Sequence, residues 1–196
     1  MTMFLTKMPI TPAPNLAKLV DRLPQPLHQL LGRPAVNIIL PDNIVCFQRR
    51  SAADLNRPRR GRALHHRFVL ICALRTAVTV CVDDQSIRLE AGQGLLIFPF
   101  QFHHYAEPQR EKLSWFFVTF ELAEAEGLAA LRYRPFELTP PLQALAAELV
   151  ESYETERAAD MPVLLLALLL ARLRRIKPAG PPGLVANPPM PGLILR

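Results

Sequence analysis

The sequence is poor in cysteine, and its cysteines are not spaced to hold a metal or a disulfide framework. The three cysteines, Cys46, Cys72 and Cys81, form no Cys-x-x-Cys pair and are odd in number. Zinc ribbons and thioredoxin-like redox motifs both require closely spaced cysteine pairs. We therefore expect reduced thiols, as is usual in a cytoplasmic protein.

A long hydrophobic run is also missing. The longest one, Met161 to Ala171, has eleven residues, whereas a helix needs roughly 20 to cross a bilayer. Residues 1–14 do not combine a basic head with an extended apolar stretch, as a secretory signal peptide does. These patterns predict a cytoplasmic protein with no membrane partner.

The motifs of common enzymes are missing as well. The sequence contains no Gly-x-Ser-x-Gly elbow, no phosphate loop and no recognisable Cys-His pairing. Asp83 and Asp84 are typical of a hairpin turn rather than an acid–base pair. His65 and His66 are adjacent, not one residue apart as in the usual metal pattern of small barrels. We expect no enzyme, no catalytic residue, no metal and no cofactor.

Positive charge is concentrated in one segment. The formal net charge is +6, and residues 49–62 carry six arginines against one acid, Asp54. The rest of the chain is nearly balanced, so its charge does not by itself mark a nucleic-acid binder. The segment is typical of a solvated edge strand and loop; contact with phosphates or an acidic ligand is the alternative.

Short strands dominate the middle of the chain. Val78, Val80 and Val82 alternate with other residues at the period of a strand with one buried face. We predict six strands, over residues 68–74, 78–82, 86–89, 95–98, 103–107 and 113–122. Several short strands without intervening helices predict a mostly β fold, a sandwich or barrel, rather than a doubly wound sheet.

The period changes to that of a helix after residue 134. One helical stripe, with Thr139 as its cap and Pro140 in its first turn, comprises Leu142, Leu145, Ala146, Leu149, Val150 and Tyr153. A second helix begins near Asp160 and is apolar on almost every side, so it must be covered on most sides. We expect part of it to pack on the barrel and the rest to form a homodimer interface. The residues predicted for that interface are Leu165, Leu168, Leu169 and Leu173; burial within a single chain is the alternative.

Prolines mark both ends of the chain. Six lie between Pro9 and Pro34 and six more between Pro178 and Pro191, which is typical of extended arms or linkers. A short helix capped by Asn15 is predicted within the first arm. The predicted division is 1–40 for a Pro-rich N-terminal arm, 41–135 for a β-barrel, 136–177 for a two-helix segment and 178–196 for a Pro-rich tail.

The segment Gly92–Tyr105 is the most informative part of the sequence. A glycine turn leads into an apolar strand, then a corner at Pro99, and then His103-His104-Tyr105. This order predicts imidazoles at the mouth of a small antiparallel barrel. Because adjacent residues of a strand point to opposite faces, only one of the two histidines faces inward.

These residues favour a small-molecule sensor over a catalyst. The candidate ligand-binding residues are His103, His104, Tyr105, Trp115, His66 and Arg67. For the inward histidine, the alternative is a ring satisfied by the backbone at the rim. For Trp115, it is core packing rather than a stacking wall for a ring-shaped ligand.

Gly92–Tyr105, together with Trp115–Phe120, resembles the N-terminal sensor domain of the AraC-type (arabinose-operon type) transcriptional regulators. The sequence departs from that pattern in having Phe98 and Phe100 around a single proline, and Gln93 where an acid is frequent. The resemblance spans about residues 35–176. It implies a cupin-like jelly-roll barrel that binds a small-molecule effector, followed by an antiparallel helix pair that dimerises. It also implies contact with DNA only through a helix-turn-helix domain that these residues do not include.

Two other interpretations stay open. One is a metal-dependent cupin enzyme, an isomerase or dioxygenase, in which one histidine of each pair would combine with Glu107 or Glu111. The other is a dimerisation module whose barrel is filled with side chains.

Overall fold

The computed structural model describes residues 15–25, 28, 30, 32–34, 38–55, 65–109, 111–155 and 160–176. The chain divides into two compact units, residues 1–36 and 37–196. Most of the predicted N-terminal arm, four arginines of the basic segment and the tail from residue 178 lie outside the described residues.

The first unit contains a short helix, α1 (Leu16–Val20). The Asn15 side chain caps it by accepting a hydrogen bond from the Lys18 backbone N–H at 3.4 Å. This satisfies one of the backbone donors that the first turn of a helix leaves without a partner. The predicted helix and its cap are therefore confirmed.

The second unit contains the predicted strands and helices. Its described strands are β1 (Asp42–Ser51), β2 (Phe68–Ala73), β3 (Val78–Val82), β4 (Gln85–Leu89), β5 (Gln93–Ile97), β6 (His103–Ala106), β7 (Lys112–Glu121) and β8 (Phe136–Glu137). Its described helices are α2 (Ala52–Leu55), a 3₁₀ helix (Glu126–Leu131), α3 (Pro140–Thr155) and α4 (Asp160–Leu173). Within the described part of the chain, no helix is both long and apolar enough to span a membrane.

The strands form two antiparallel sheets. The large sheet has the order β1-β7-β2-β5-β8, and the small sheet has the order β4-β3-β6. The helices α3 and α4 pack on each other, and a connection of four residues makes them antiparallel neighbours. The predicted fold class is confirmed: the unit is a cupin-like β-sandwich followed by a helix pair.

The large sheet separates two apolar cores. On β7, Trp115 and Phe117 point into the core between the sheets, whereas Phe116 and Val118 point toward the helices. This alternation follows from the period of two along a strand. Because both faces of the large sheet are covered, β2 is buried along its whole length, which explains its uninterrupted apolar sequence.

Strand β1 was missed by the sequence analysis. It pairs with β7 along ten residues and forms one edge of the large sheet. Its described residues are exposed or half-buried, so the strand lacks the apolar alternation that revealed the others. Arg49 and Arg50 lie near its end. The charge pattern indicated an edge strand and loop for their segment, but it did not give the bounds of the strand.

Candidate functional site

The corner between β5 and β6 positions the paired histidines. Gly92 ends the turn that precedes β5 and has a φ of +86°, in the region that glycine adopts without strain. On β6, His103 pairs with Val82 and Tyr105 with Val80. Both valines belong to the core between the sheets, so His103 and Tyr105 share their face. His104, opposite Cys81, points the other way and is exposed.

Aromatic rings contact one another in a row from β6 across β7 to β1. We call this row the ring file, and its members are His65, His103, Tyr105, Trp115, Phe117 and Phe47. The ring centroids of His65 and His103 lie 5.4 Å apart, and those of His103 and Tyr105 lie 6.2 Å apart. The Tyr105 ring meets Trp115 at 5.9 Å and Phe117 at 6.1 Å. All four contacts are edge-to-face, the arrangement that ring quadrupoles favour.

The ring file ends in a cation at β1. Phe47 stacks on Phe117 with centroids 5.1 Å apart, and the Arg49 guanidinium lies 5.0 Å from the Phe47 centroid. A guanidinium over a ring face is an attractive cation–π arrangement. The file therefore carries imidazole at one end and guanidinium at the other, with apolar rings between them.

The middle of the ring file is rigid. The Trp115 indole N–H donates to the Thr76 carbonyl at 2.8 Å and also lies 3.1 Å from the Thr76 hydroxyl. Trp115 is 2% exposed and Tyr105 is 8% exposed, whereas His65, His103 and Phe47 are half-buried. The exposed fraction therefore falls from both ends of the file toward its centre. The site can offer hydrogen bonds at its rim and a fixed aromatic wall below.

Two of the predicted ligand-binding residues lie apart from the ring file. His66 places its Nε2 3.3 Å from Glu121, and Arg67 donates to the Asn43 carbonyl and, at 3.0 Å, to the Thr119 carbonyl. These contacts join the ends of β1, β2 and β7. A hydrogen bond from Asn43, together with His66 and Arg67, keeps the pKa of the Glu121 carboxyl below its usual value.

Of the first histidine pair, the sequence analysis named only His66 as a candidate ligand-binding residue. His65, not His66, meets the His103 ring. It also overlooked Phe117 and Phe47. Phe117 lies two residues after Trp115, so the period of a strand could have found it. Phe47 belongs to the strand that the sequence did not reveal.

A second polar cluster secures the corner beneath β6. Asp83, in the β3–β4 turn with φ of +53°, accepts hydrogen bonds from the Tyr133 hydroxyl at 2.7 Å and the Gln101 amide at 2.8 Å. It also accepts one from the Phe102 backbone N–H at 3.0 Å. The predicted turn at Asp83 and Asp84 is confirmed. Desolvation opposes ionisation of Asp83, but these hydrogen bonds outweigh it and lower its pKa.

We expect Asp83→Asn to remove a pH-dependent part of the stability. A lowered folded pKa stabilises the fold at pH values above the unfolded pKa of about 3.9, and this contribution is lost as the pH falls through the folded pKa. The variant should therefore be less stable than the parent at pH 7, and the gap should narrow below about pH 4. Urea midpoints measured between pH 7 and 3 test this, with Asp84→Asn as the control. A gap that stays constant across this range would contradict the expectation.

The leucines predicted for a dimer interface occupy different environments. Leu169 and Leu173 are 3% and 0% exposed, because they lie on the side of α4 that faces the large sheet. They are core residues of the chain itself and do not form a surface, contrary to their predicted placement. Leu165 is half-buried and Leu168 is 45% exposed. The exposed apolar face of α4 consists of Met161, Leu164 and Leu168.

No group of three or more His, Cys, Asp or Glu side chains placed to hold a metal ion occurs among the residues that the structure describes.

The sandwich and its two C-terminal helices agree with what comparison with known proteins finds. A search among curated proteins returns no match. Residues 48–171 match the family described as the AraC-like ligand binding domain. This match covers the last four residues of β1, α2, β2–β8, α3 and nearly all of α4, more than half of the chain. The chain therefore belongs to the family of AraC-like ligand binding domains.

Proposed function

We propose that this chain is the effector-binding and dimerisation domain of an AraC-family transcriptional regulator, and that the ring file is its effector site. Family membership supports effector binding by a regulatory domain. The observation that carries the proposed location is the ring file, which joins His103 to Tyr105, Trp115 and Phe117 at one side of the sandwich.

The topology supports entry of a ligand at this side. Strand β6 is the last strand of the small sheet, and β1 is the last strand of the large sheet. The ring contacts from Tyr105 through Phe117 to Phe47 show that these two edges lie on the same side of the sandwich. A guest that enters between the sheets here meets polar rims first and the aromatic wall next, as small-molecule sites usually arrange them.

The chemistry of the rim indicates the kind of effector. The His103 Nδ1 lies 3.2 Å from the Gln101 carbonyl, which orients the imidazole. Arg49 at the opposite end supplies positive charge. A small metabolite with a flat or cyclic body and a polar or acidic substituent fits this combination.

We expect a panel of sugars, aromatic acids and other small metabolites to contain compounds that raise the melting temperature of the protein. A ligand at 100 times its Kd adds about 2.7 kcal/mol to the free energy of unfolding. His103→Ala should weaken binding about tenfold. A lost hydrogen bond and a lost ring contact together cost about 1.5 kcal/mol, and about 1.4 kcal/mol is a tenfold change in affinity. Calorimetric titration of each compound that shifts the melting temperature gives the affinity.

His104→Ala is the matched control for this experiment. It makes the same chemical change one residue away, on the opposite face of β6, and should leave the affinity unchanged. Equal effects of the two substitutions would contradict the proposed location. A panel from which no compound binds would contradict effector binding in this domain.

The exposed apolar face of α4 supports the dimerisation part of the proposal. Met161, Leu164 and Leu168 are 45%, 56% and 45% exposed, at the spacing that places them on one side of a helix. Contiguous exposed apolar side chains of this kind usually mark an interface, and a two-fold dimer is the commonest solution. We propose that a helix-turn-helix domain outside these residues contacts DNA. We also propose that the regulator is located in the cytoplasm.

A further inference from the structure

A groove lies mainly on the helix-facing side of the large sheet, and two side chains of the ring file, Phe47 and Trp115, also line it. Its floor is the helix-facing side of β1, β7 and β2, and its wall is α3. In the floor, Gln48, Phe116 and Cys72 lie side by side across the three strands. In the wall, Gln143, Ala147 and Val150 follow one another along α3.

The groove exists because small side chains face each other across it. The floor contributes two cysteines and a serine, Cys46, Cys72 and Ser114, and the wall contributes Ala146 and Ala147. The space between them has a volume of about 840 Å³ and is open on one side. Small-molecule sites commonly measure about 300–1,000 Å³, so the groove has room for a ligand of metabolite size.

The described residues of the groove floor carry no charge at neutral pH. Burial raises the pKa of both Cys46 and Cys72 to about 12, so neither thiol ionises. Phe116 and Leu138 add apolar surface. The body of a ligand that fits here is therefore hydrophobic.

Negative charge is confined to one end of the groove. Glu154 is the one charged side chain among the described residues that line it, and Tyr153 precedes it. Within the described part of the chain, no hydrogen bond or ion pair engages the Glu154 carboxylate. Both residues lie in the last turn of α3, which contains no basic side chain. The C-terminal end of a helix carries partial negative charge and favours cations.

From these features we propose that the groove is a second small-molecule site, specific for a hydrophobic cation: an aliphatic or aromatic body that carries an ammonium group. The body occupies the space between Cys46, Cys72 and Ala147. The ammonium lies at the end of α3, near the Glu154 carboxylate and the Tyr153 ring. Charge attraction and a cation–π contact both stabilise the bound cation there. Carboxylates and phosphates are disfavoured, because no described cation lines the groove.

Octyltrimethylammonium is a suitable probe, and calorimetric titration of the full chain measures its affinity. Ala147→Phe fills the groove from an exposed helical position and should weaken binding at least tenfold. Ala144→Phe is the matched control, since Ala144 is exposed on the same helix but does not line the groove. It should leave the affinity unchanged, and circular dichroism of both variants checks that the helix is intact.

The charge requirement is tested separately. Glu154→Gln should weaken octyltrimethylammonium binding about fivefold or more, whereas Glu151→Gln, an exposed carboxylate that does not line the groove, should not. Octanoate should bind at least tenfold more weakly than the ammonium. Failure of the wild-type chain to bind the probe, equal effects of the two phenylalanine substitutions, or equal affinity for octanoate would each overturn the proposal.

This site can be distinguished from the ring file, although Phe47 and Trp115 line both. His103→Ala should leave binding of octyltrimethylammonium unchanged, because His103 is absent from the groove lining. Loss of probe binding in that variant would mean that the cation occupies the ring file, and would overturn the second site. Failure to find a metabolite effector would leave the groove experiment intact, since the residues assigned to the probe do not belong to the ring file: Cys46, Cys72, Ala147, Tyr153 and Glu154.

Discussion

Replacement of Leu166 by alanine should lower the free energy of unfolding by about 2–5 kcal/mol, the usual cost of removing a fully buried leucine. Leu166 is 0% exposed and belongs to the core between α4 and the large sheet. That core includes β2, β5 and β7 from the sheet and both helices, so no single element can shift to close the cavity. Urea denaturation followed by circular dichroism measures the change.

Leu164→Ala is the control for this prediction. It makes the same change two residues earlier on α4, at a side chain that is 56% exposed, and should cost about 0.5 kcal/mol or less in the folding of one chain. Measurement at several protein concentrations separates folding from self-association. Similar losses in the two variants would show that α4 does not present these faces as described.

The secondary structure was predictable wherever burial has a clear period. The alternation at Val78, Val80 and Val82 located β3 because these valines face the core between the sheets, although the intervening Thr79 and Cys81 are buried as well. Leu142, Leu145 and Leu149 located α3 because its stripe faces the core, and all three are buried. The edge strand β1 has no such signal, since it is exposed or half-buried throughout.

The inward histidine could not be chosen from the sequence alone. The period of two shows that His103 and His104 face opposite ways, but it does not show which one faces inward. That choice depends on the register between β6 and β3, which places His103 beside Val82. The contact between His65 and His103 joins residues 38 positions apart, and no local pattern encodes such a distance.

The orientation of α4 was unpredictable for a different reason. A polar stripe marks the solvent side of an amphipathic helix, but α4 has leucines on nearly every side. The sequence therefore predicted a covered helix without indicating which leucines face the sheet. The packing of α4 supplies this information: it buries Leu169 and Leu173 and leaves Leu164 and Leu168 exposed.

The double substitution Leu164→Glu and Leu168→Glu should therefore convert the proposed homodimer to a monomer. Each leucine removed from an interface costs about 1.5–3 kcal/mol, and burial of the introduced carboxylates adds to this. Since 1.4 kcal/mol is a tenfold change, the dimer Kd should rise at least about a hundredfold. Sedimentation equilibrium measures it, and both positions are exposed enough for the single chain to stay folded.

A matched pair elsewhere on the surface makes this last prediction specific. Val45 and Leu74 are 39% and 47% exposed; Val45 lies on β1 and Leu74 directly follows β2. Val45→Glu combined with Leu74→Glu introduces the same charge and should leave the dimer intact. A dimer that survives the α4 substitutions and dissociates with the sheet substitutions would place the interface on β1, whose outer edge offers unpaired backbone groups to a second copy. Dissociation by the α4 pair alone would instead mean that the exposed leucines of α4 form the interface between the two copies.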